Sequence, residues 1–157
     1  MTLSILPFLF LACGDKDTDD TGAVEDPGEH ACENVNTGEA ITAAAKPATA
    51  PELHVGEGFT VTLTPSQVGY VQITADEAAE LLLFASVADV VTGLWLGDTQ
   101  LTLPTGSPNE YCATDIPEHF DLDLEAGTYV LQLGPSAVDS VWLMVSSSDG
   151  HGHEHEE

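Results

Sequence analysis

Three histidines at alternating positions near the C-terminus are the residues of this chain best suited to bind a metal. The chain ends in the sequence HGHEHEE at residues 151–157, so His151, His153 and His155 lie within five residues. Neutral imidazole nitrogens are common ligands for Zn, Cu and Ni, and carboxylates can complete the coordination shell. The alternation predicts a site for a divalent transition metal, zinc first and Cu or Ni as alternatives. The other interpretation is a polar terminus whose histidines are incidental.

The apolar N-terminal segment closes on the sequence LACG at residues 11–14 and resembles the signal peptide of bacterial lipoproteins. Residues 1–12 are apolar apart from Thr2 and Ser4. The resemblance implies cleavage before Cys13, attachment of diacylglycerol to its sulfur, and a lipid-anchored location in the bacterial cell envelope, at the outer membrane or facing the periplasm. A plain secretory signal is the alternative. A spanning helix is excluded, because about 20 apolar residues are needed and a proline interrupts these twelve.

Acidic residues dominate the segment that follows Cys13. Residues 14–29 carry seven carboxylates and one lysine. This composition predicts a disordered tether between the lipidated cysteine and a folded domain over residues 30–147. The whole chain has 27 acidic residues, two lysines and no arginine, for a formal net charge of -25. Because a chain without a basic patch cannot neutralise phosphates, nucleic acid is excluded as a partner, and the lipid anchor is the expected attachment to the membrane.

Two further cysteines form an even pair once Cys13 is assigned to lipid. Cys32 and Cys112 would lie outside the cytoplasm, where disulfides persist, so we expect a bridge between them. Such a bridge would join the first segment of the domain to a loop late in the fold. The alternative is a pair of thiolate ligands that bind a metal with nearby histidines, although their spacing matches no compact zinc motif.

The expected bridge suggests a second metal site. His30 lies two residues before Cys32, His119 lies seven residues after Cys112, and a glutamate directly precedes each histidine. Bridged cysteines have Cα atoms about 5.5 Å apart, which would bring these side chains into one neighbourhood. Two imidazoles and a carboxylate could then form a three-ligand site. The alternative is two surface histidines at strand ends.

The pattern of residues 30–147 predicts short strands almost throughout. Alternating apolar and polar residues, or short apolar runs between Gly and Pro turns, are typical of strands. The expected strands cover residues 59–64, 70–74, 81–85, 90–96, 99–103, 120–125, 128–133 and 140–146, with a weaker one at 40–44. Residues 76–80 could form a helical turn. Seven to eight antiparallel strands predict an all-β fold, an antiparallel β-sandwich of jelly-roll type.

One stretch of this predicted sandwich resembles a known family. Residues 119–130, HFDLDLEAGTYV, are similar to the late hairpin of bacterial pre-peptidase C-terminal domains. In those domains an alternating strand runs into the motif LxAGTY and then into a second strand. The resemblance implies a β-sandwich with an accessory role in binding or structure, without catalysis.

The sequence contains no recognisable catalytic constellation, so we expect no enzyme. It lacks a GxSxG elbow, a phosphate-binding glycine loop and an HExxH motif. The nearest approach to paired carboxylates is Asp121, Asp123 and Glu125, which alternate with apolar residues and therefore form the solvated face of a strand.

Two functions follow from these patterns. The first is a cell-envelope lipoprotein that binds a divalent transition metal for capture, buffering or delivery, with an envelope metal transporter or receptor as its partner. The His/Glu-rich tail at residues 148–157 is similar to segments of periplasmic zinc-binding proteins that collect ions. The second is a noncatalytic protein- or glycan-binding β-sandwich whose tail is incidental.

Overall fold

The computed structural model describes residues 26–148. One α-helix, one 3₁₀ helix and ten strands occupy this range: α1 (Pro27–Asn34), β1 (Glu39–Thr42), η1 (Pro47–Thr49), β2 (Glu52–Leu53), β3 (Gly58–Thr62), β4 (Gly69–Ala75), β5 (Ala79–Ala85), β6 (Val91–Leu96), β7 (Thr99–Leu101), β8 (Glu118–Leu124), β9 (Gly127–Leu133) and β10 (Ser140–Ser147). Within the described range, no helix has the length and apolar character needed to span a bilayer.

The strands form two five-stranded sheets that pack as a sandwich. Their orders are β1-β3-β10-β5-β8 and β2-β4-β9-β6-β7. Strands β3 to β10 pair in a nested way, β3 with β10, β4 with β9, β5 with β8, and β6 with β7, and each of these pairs is antiparallel. Pairing of first with last and second with next-to-last is the arrangement of a jelly roll. The predicted jelly-roll-like sandwich is therefore confirmed.

The structure differs from the prediction in strand count and in two pairings. It has ten strands among residues 26–148 rather than seven to eight, because the short strands β1 and β2 add to the outer edges of the two sheets. Both pair in parallel, β1 with β3 and β2 with β4. The helical turn expected at residues 76–80 is wrong, since β5 already begins at Ala79 and pairs with β8 there.

Two turns show how the sequence directs the chain between strands. β6 and β7 form a hairpin at Gly97 and Asp98, and the φ of +58° at Gly97 suits a glycine in a tight two-residue turn. β8 and β9 lie in opposite sheets and do not pair with each other. The segment that resembles a hairpin therefore crosses from one sheet to the other, and the hydroxyl of Tyr129 donates to the Glu125 carbonyl across this turn at 2.9 Å.

The main core lies between the two sheets. Alternate residues of each strand point inward, and the largest include Phe59, Ile73, Leu83, Leu131 and Leu143, all no more than 1% exposed. Full burial of each such side chain stabilises the fold by about 1.5–3 kcal/mol. The alternation of apolar and polar residues in β4, β8 and β9 follows directly from having one face in this core.

A second, smaller core covers the outer face of the first sheet. Phe84 of β5, with Trp142 and Met144 of β10, points away from the main core, and Ala31 of α1 and Ile116 of the loop between β7 and β8 cover them. β5 is therefore buried on both faces for much of its length, which explains its continuous apolar run. The helix begins at Pro27, three residues before the predicted domain boundary at residue 30.

Candidate functional site

A disulfide joins α1 to the loop that precedes β8. Cys32 and Cys112 are bonded, with Cα atoms 5.9 Å apart and a sequence separation of 80. The predicted bridge is confirmed, and the alternative of two free thiolate ligands is excluded because both sulfurs are used. The bridge holds the helix and residues 102–117 together on the outer face of the first sheet.

Asn109 forms a second connection between these two segments. It is the one buried polar side chain among residues 26–148, at 2% exposure. Its Nδ2 donates to the Gly28 carbonyl at 2.9 Å, and its Oδ1 accepts from the Tyr111 amide at 3.0 Å. A Cβ atom added to Gly28 would lie only 3.0 Å from the Tyr111 ring and 3.2 Å from Asn109 Oδ1. A larger residue at position 28 would therefore need Tyr111 and Asn109 to move outward by a few tenths of an ångström.

A cavity of about 380 Å³ opens beside the N-terminal end of α1, between the helix, the loop and the outer face of β5 and β8. We refer to it as the α1 cavity. Leu82 and Phe84 contribute apolar surface, and three acidic residues at its margin are Asp26, Glu110 and Asp121. Asp26 also begins the helix, since its Oδ1 accepts from the Gly28 amide at 2.8 Å.

Two ring side chains, Tyr111 and His119, complete the α1 cavity. Tyr111 is 48% exposed, although it lies against the helix. A hydrogen bond to Asp26 raises the pKa of Tyr111 above its usual value, and partial desolvation and the charges of Asp26, Glu110 and Glu29 raise it further. The phenol is therefore neutral at physiological pH.

His119 stacks on Phe84, with ring centroids 5.8 Å apart and an angle of 26° between the ring planes. Its Nε2 lies 3.5 Å from the hydroxyl of Ser107. Its Nδ1 is buried and has no hydrogen-bond partner among the described residues. This imidazole, near the start of β8, therefore forms part of the wall of the α1 cavity.

The structure does not assemble the second predicted metal site. Within residues 26–148, no group of three or more His, Cys, Asp and Glu side chains is arranged to hold a metal ion. His30 lies on α1, where the Asn34 amide nitrogen is 3.4 Å from its ring, and it does not line the α1 cavity that contains His119. The predicted ligands His151, His153 and His155, like Cys13, lie outside the described residues.

A second cavity, of about 300 Å³, lies next to the first where the chain leaves the described range. We refer to it as the Ser148 cavity. Glu80, Asp121 and Asp123 line it together with Ser148, whose amide donates to the Glu80 carbonyl at 3.0 Å. Glu80 and Asp123 are direct partners in the β5–β8 register. As expected from the alternation, Asp121, Asp123 and Glu125 are all exposed.

The sequence pattern does not predict most of the α1 cavity. It places Asp26 in the tether, although an aspartate directly before a proline is a helix start signal. Asn109 and Tyr111 lie in a loop without any periodic pattern, so only the bridge at Cys112 pointed to that region.

No known protein-family description matches this chain, and no curated protein is significantly similar to it in sequence.

Proposed function

We propose that the chain is a cell-envelope lipoprotein that binds a divalent transition metal, zinc first, through its C-terminal histidines for capture, buffering or delivery. The observation that supports this most directly is the alternation of His151, His153 and His155 with a glycine and a glutamate. Glu80, Asp121 and Asp123 line the cavity that includes Ser148, and Ser148 precedes His151 by three residues in the sequence.

The chemistry of this arrangement is ligand exchange. Neutral imidazoles of the tail bind the ion, and exposed carboxylates such as Asp123 can supply oxygen ligands. Protonation of the imidazoles below about pH 6.5 releases the ion. A lipid on Cys13 would hold the protein at the membrane, where an envelope transporter or receptor can accept the metal.

Calorimetry with Zn²⁺ and Cu²⁺ tests the proposal on the mature chain carrying Cys13→Ser. We expect binding tighter than about millimolar that is lost when His151, His153 and His155 are all replaced by Asn. His54→Asn is the matched control, because it removes an exposed histidine far from the tail in sequence. Failure of both metals to bind more tightly than millimolar would contradict the proposal.

The membrane anchor is tested separately. In bacteria that express the chain, a labelled fatty acid should be incorporated at Cys13, and the protein should fractionate with membranes. Cys13→Ser should abolish the label and release the protein from the membrane fraction. Equal fractionation of both forms would contradict lipidation.

A second candidate function is a noncatalytic binding module. The α1 cavity favours it, because its volume of about 380 Å³ lies within the range typical of ligand pockets, about 300–1,000 Å³. Its walls are held in place by a disulfide and by an asparagine whose side chain hydrogen-bonds to α1 and to its own loop.

A further inference from the structure

We propose that the α1 cavity binds the lysine or arginine side chain of a partner protein. This inference rests on the second candidate function and is independent of metal binding by the tail. The cavity combines three properties that a cationic side chain with an aliphatic stem requires: negative charge at the margin, apolar surface inside, and an accessible aromatic ring.

No lysine or arginine of the described residues lies beside this negative charge. Asp26, Glu110 and Asp121 line the cavity. Lys46 is the only lysine or arginine between residues 26 and 148, and it does not line the cavity. The net charge of -25 adds a long-range attraction for basic partners. Within residues 26–148, the one basic side chain in the cavity wall is that of His119, so an incoming lysine or arginine meets carboxylates that no described lysine or arginine pairs with.

The interior suits the rest of such a side chain. Leu82 and Phe84 offer apolar surface, against which the methylene groups of lysine or arginine can pack while the charged end stays at the acidic margin. Tyr111 is 48% exposed, so a cation in the cavity can reach its aromatic side chain. An approaching guanidinium or ammonium group can contact the ring and the carboxylates together.

The acidic margin favours a cation over a neutral ligand. Carboxylates only accept hydrogen bonds, and Asp26, Glu110 and Asp121 line the cavity. A guanidinium or ammonium group supplies only donors and carries the opposite charge, so it complements these three groups.

Titration of the ¹⁵N-labelled mature chain with short capped peptides tests the proposal. The probes are Ac-Ala-Arg-Ala-NH₂ and Ac-Ala-Lys-Ala-NH₂, with Ac-Ala-Gln-Ala-NH₂ as the neutral control. We expect the basic peptides to shift the amide signals of Tyr111 and Asp121, with an affinity that falls as salt is added. The neutral peptide should cause no shift at these residues.

Variants identify the site. The double change Asp26→Asn and Asp121→Asn should weaken binding of the basic peptides at least about tenfold, while the asparagine at residue 26 still caps α1. Asp123→Asn is the matched control, because it removes an exposed carboxylate of the same strand that does not line the α1 cavity. Unchanged thermal unfolding of each variant shows that loss of binding is not loss of fold.

The outcomes separate this proposal from the others. Equal binding of the basic and neutral peptides, or full binding by the double variant, would overturn the cationic site. Tighter binding of a neutral oligosaccharide would favour a glycan and overturn it too. Spermidine that binds while both basic peptides fail would overturn a protein partner. Replacing the three tail histidines by Asn should leave peptide binding unchanged, so the metal proposal fails or survives independently.

Discussion

Removal of the Cys32–Cys112 bridge should destabilise the domain about as much as truncation of a large core side chain. The bridge closes a separation of 80 residues, which includes β1 to β7. The loop-entropy relation gives about 4.5 kcal/mol at 25 °C for a loop of that length. Because domains of this size are stable by only about 5–15 kcal/mol, the double change Cys32→Ala and Cys112→Ala should remove a large fraction of the free energy of unfolding.

Denaturant unfolding followed by tryptophan fluorescence measures this loss. Trp142 is 2% exposed in the second core, and its Nε1 donates to the carbonyl of Thr37 at 2.8 Å. With the second tryptophan, Trp95, replaced by Phe, its emission reports both unfolding and the attachment of the segment that follows α1. We expect a much lower midpoint in the variant with native-like emission before the transition, because Ala31 and Asn109 still hold the helix on the sheet.

The control is the Cys13→Ser chain, which carries the bridge without a third thiol. Reduction of this control should shift its midpoint to that of the alanine variant. A loss below about 1 kcal/mol would refute the reasoning, since the bridge would then constrain the unfolded chain far less than its separation implies. A variant with red-shifted emission before any denaturant is added would show that α1 depends on the bridge alone.

Three further outcomes follow from the structure, two from the α1 cavity and one from Glu118 at the start of β8. Asn109→Ala should cost about 1–3 kcal/mol in denaturant unfolding, because it removes the donor to the Gly28 carbonyl; an unchanged midpoint would contradict this. Asp26→Asn should lower the pKa of Tyr111 in an ultraviolet titration, because the bond and charge at Asp26 raise it. Burial raises the pKa of Glu118 above 4.5, so loss of its proton opposes folding. The stability that the protonated side chain retains is therefore lost as pH rises through the raised pKa. Glu118→Gln should therefore gain stability relative to the native chain between about pH 4 and 7, by less than about 1 kcal/mol because the group is partly exposed.

The strands of the jelly roll were predictable because each has one face in a common core. Phe59 and Val61 alternate with threonines, and the eight main strands lie close to the predicted ranges. The two-residue strand β2 was not predictable, because a run so short carries no period. The parallel pairing of β1 was missed because it depends on which edge of the sheet is free, and residue pattern does not encode that.

The α1 cavity was hidden for a different reason. Its walls come from segments about 80 residues apart, and the contact between Gly28 and Asn109 depends on tertiary packing. The cysteine count did predict the bridge that joins these segments. It could not predict that Phe84 points outward beneath the loop, where it provides both cavity surface and a stacking partner for His119.

Zinc content after dialysis tests the central proposal most directly. In equilibrium dialysis against about 1 mM zinc, the Cys13→Ser chain should retain about one more ion per chain at pH 7.5 than the variant with His151, His153 and His155 replaced by Asn. This difference should disappear at pH 5.5, where the imidazoles are protonated. Equal retention by the two chains, or no retention by the first, would contradict metal capture by the histidine tail.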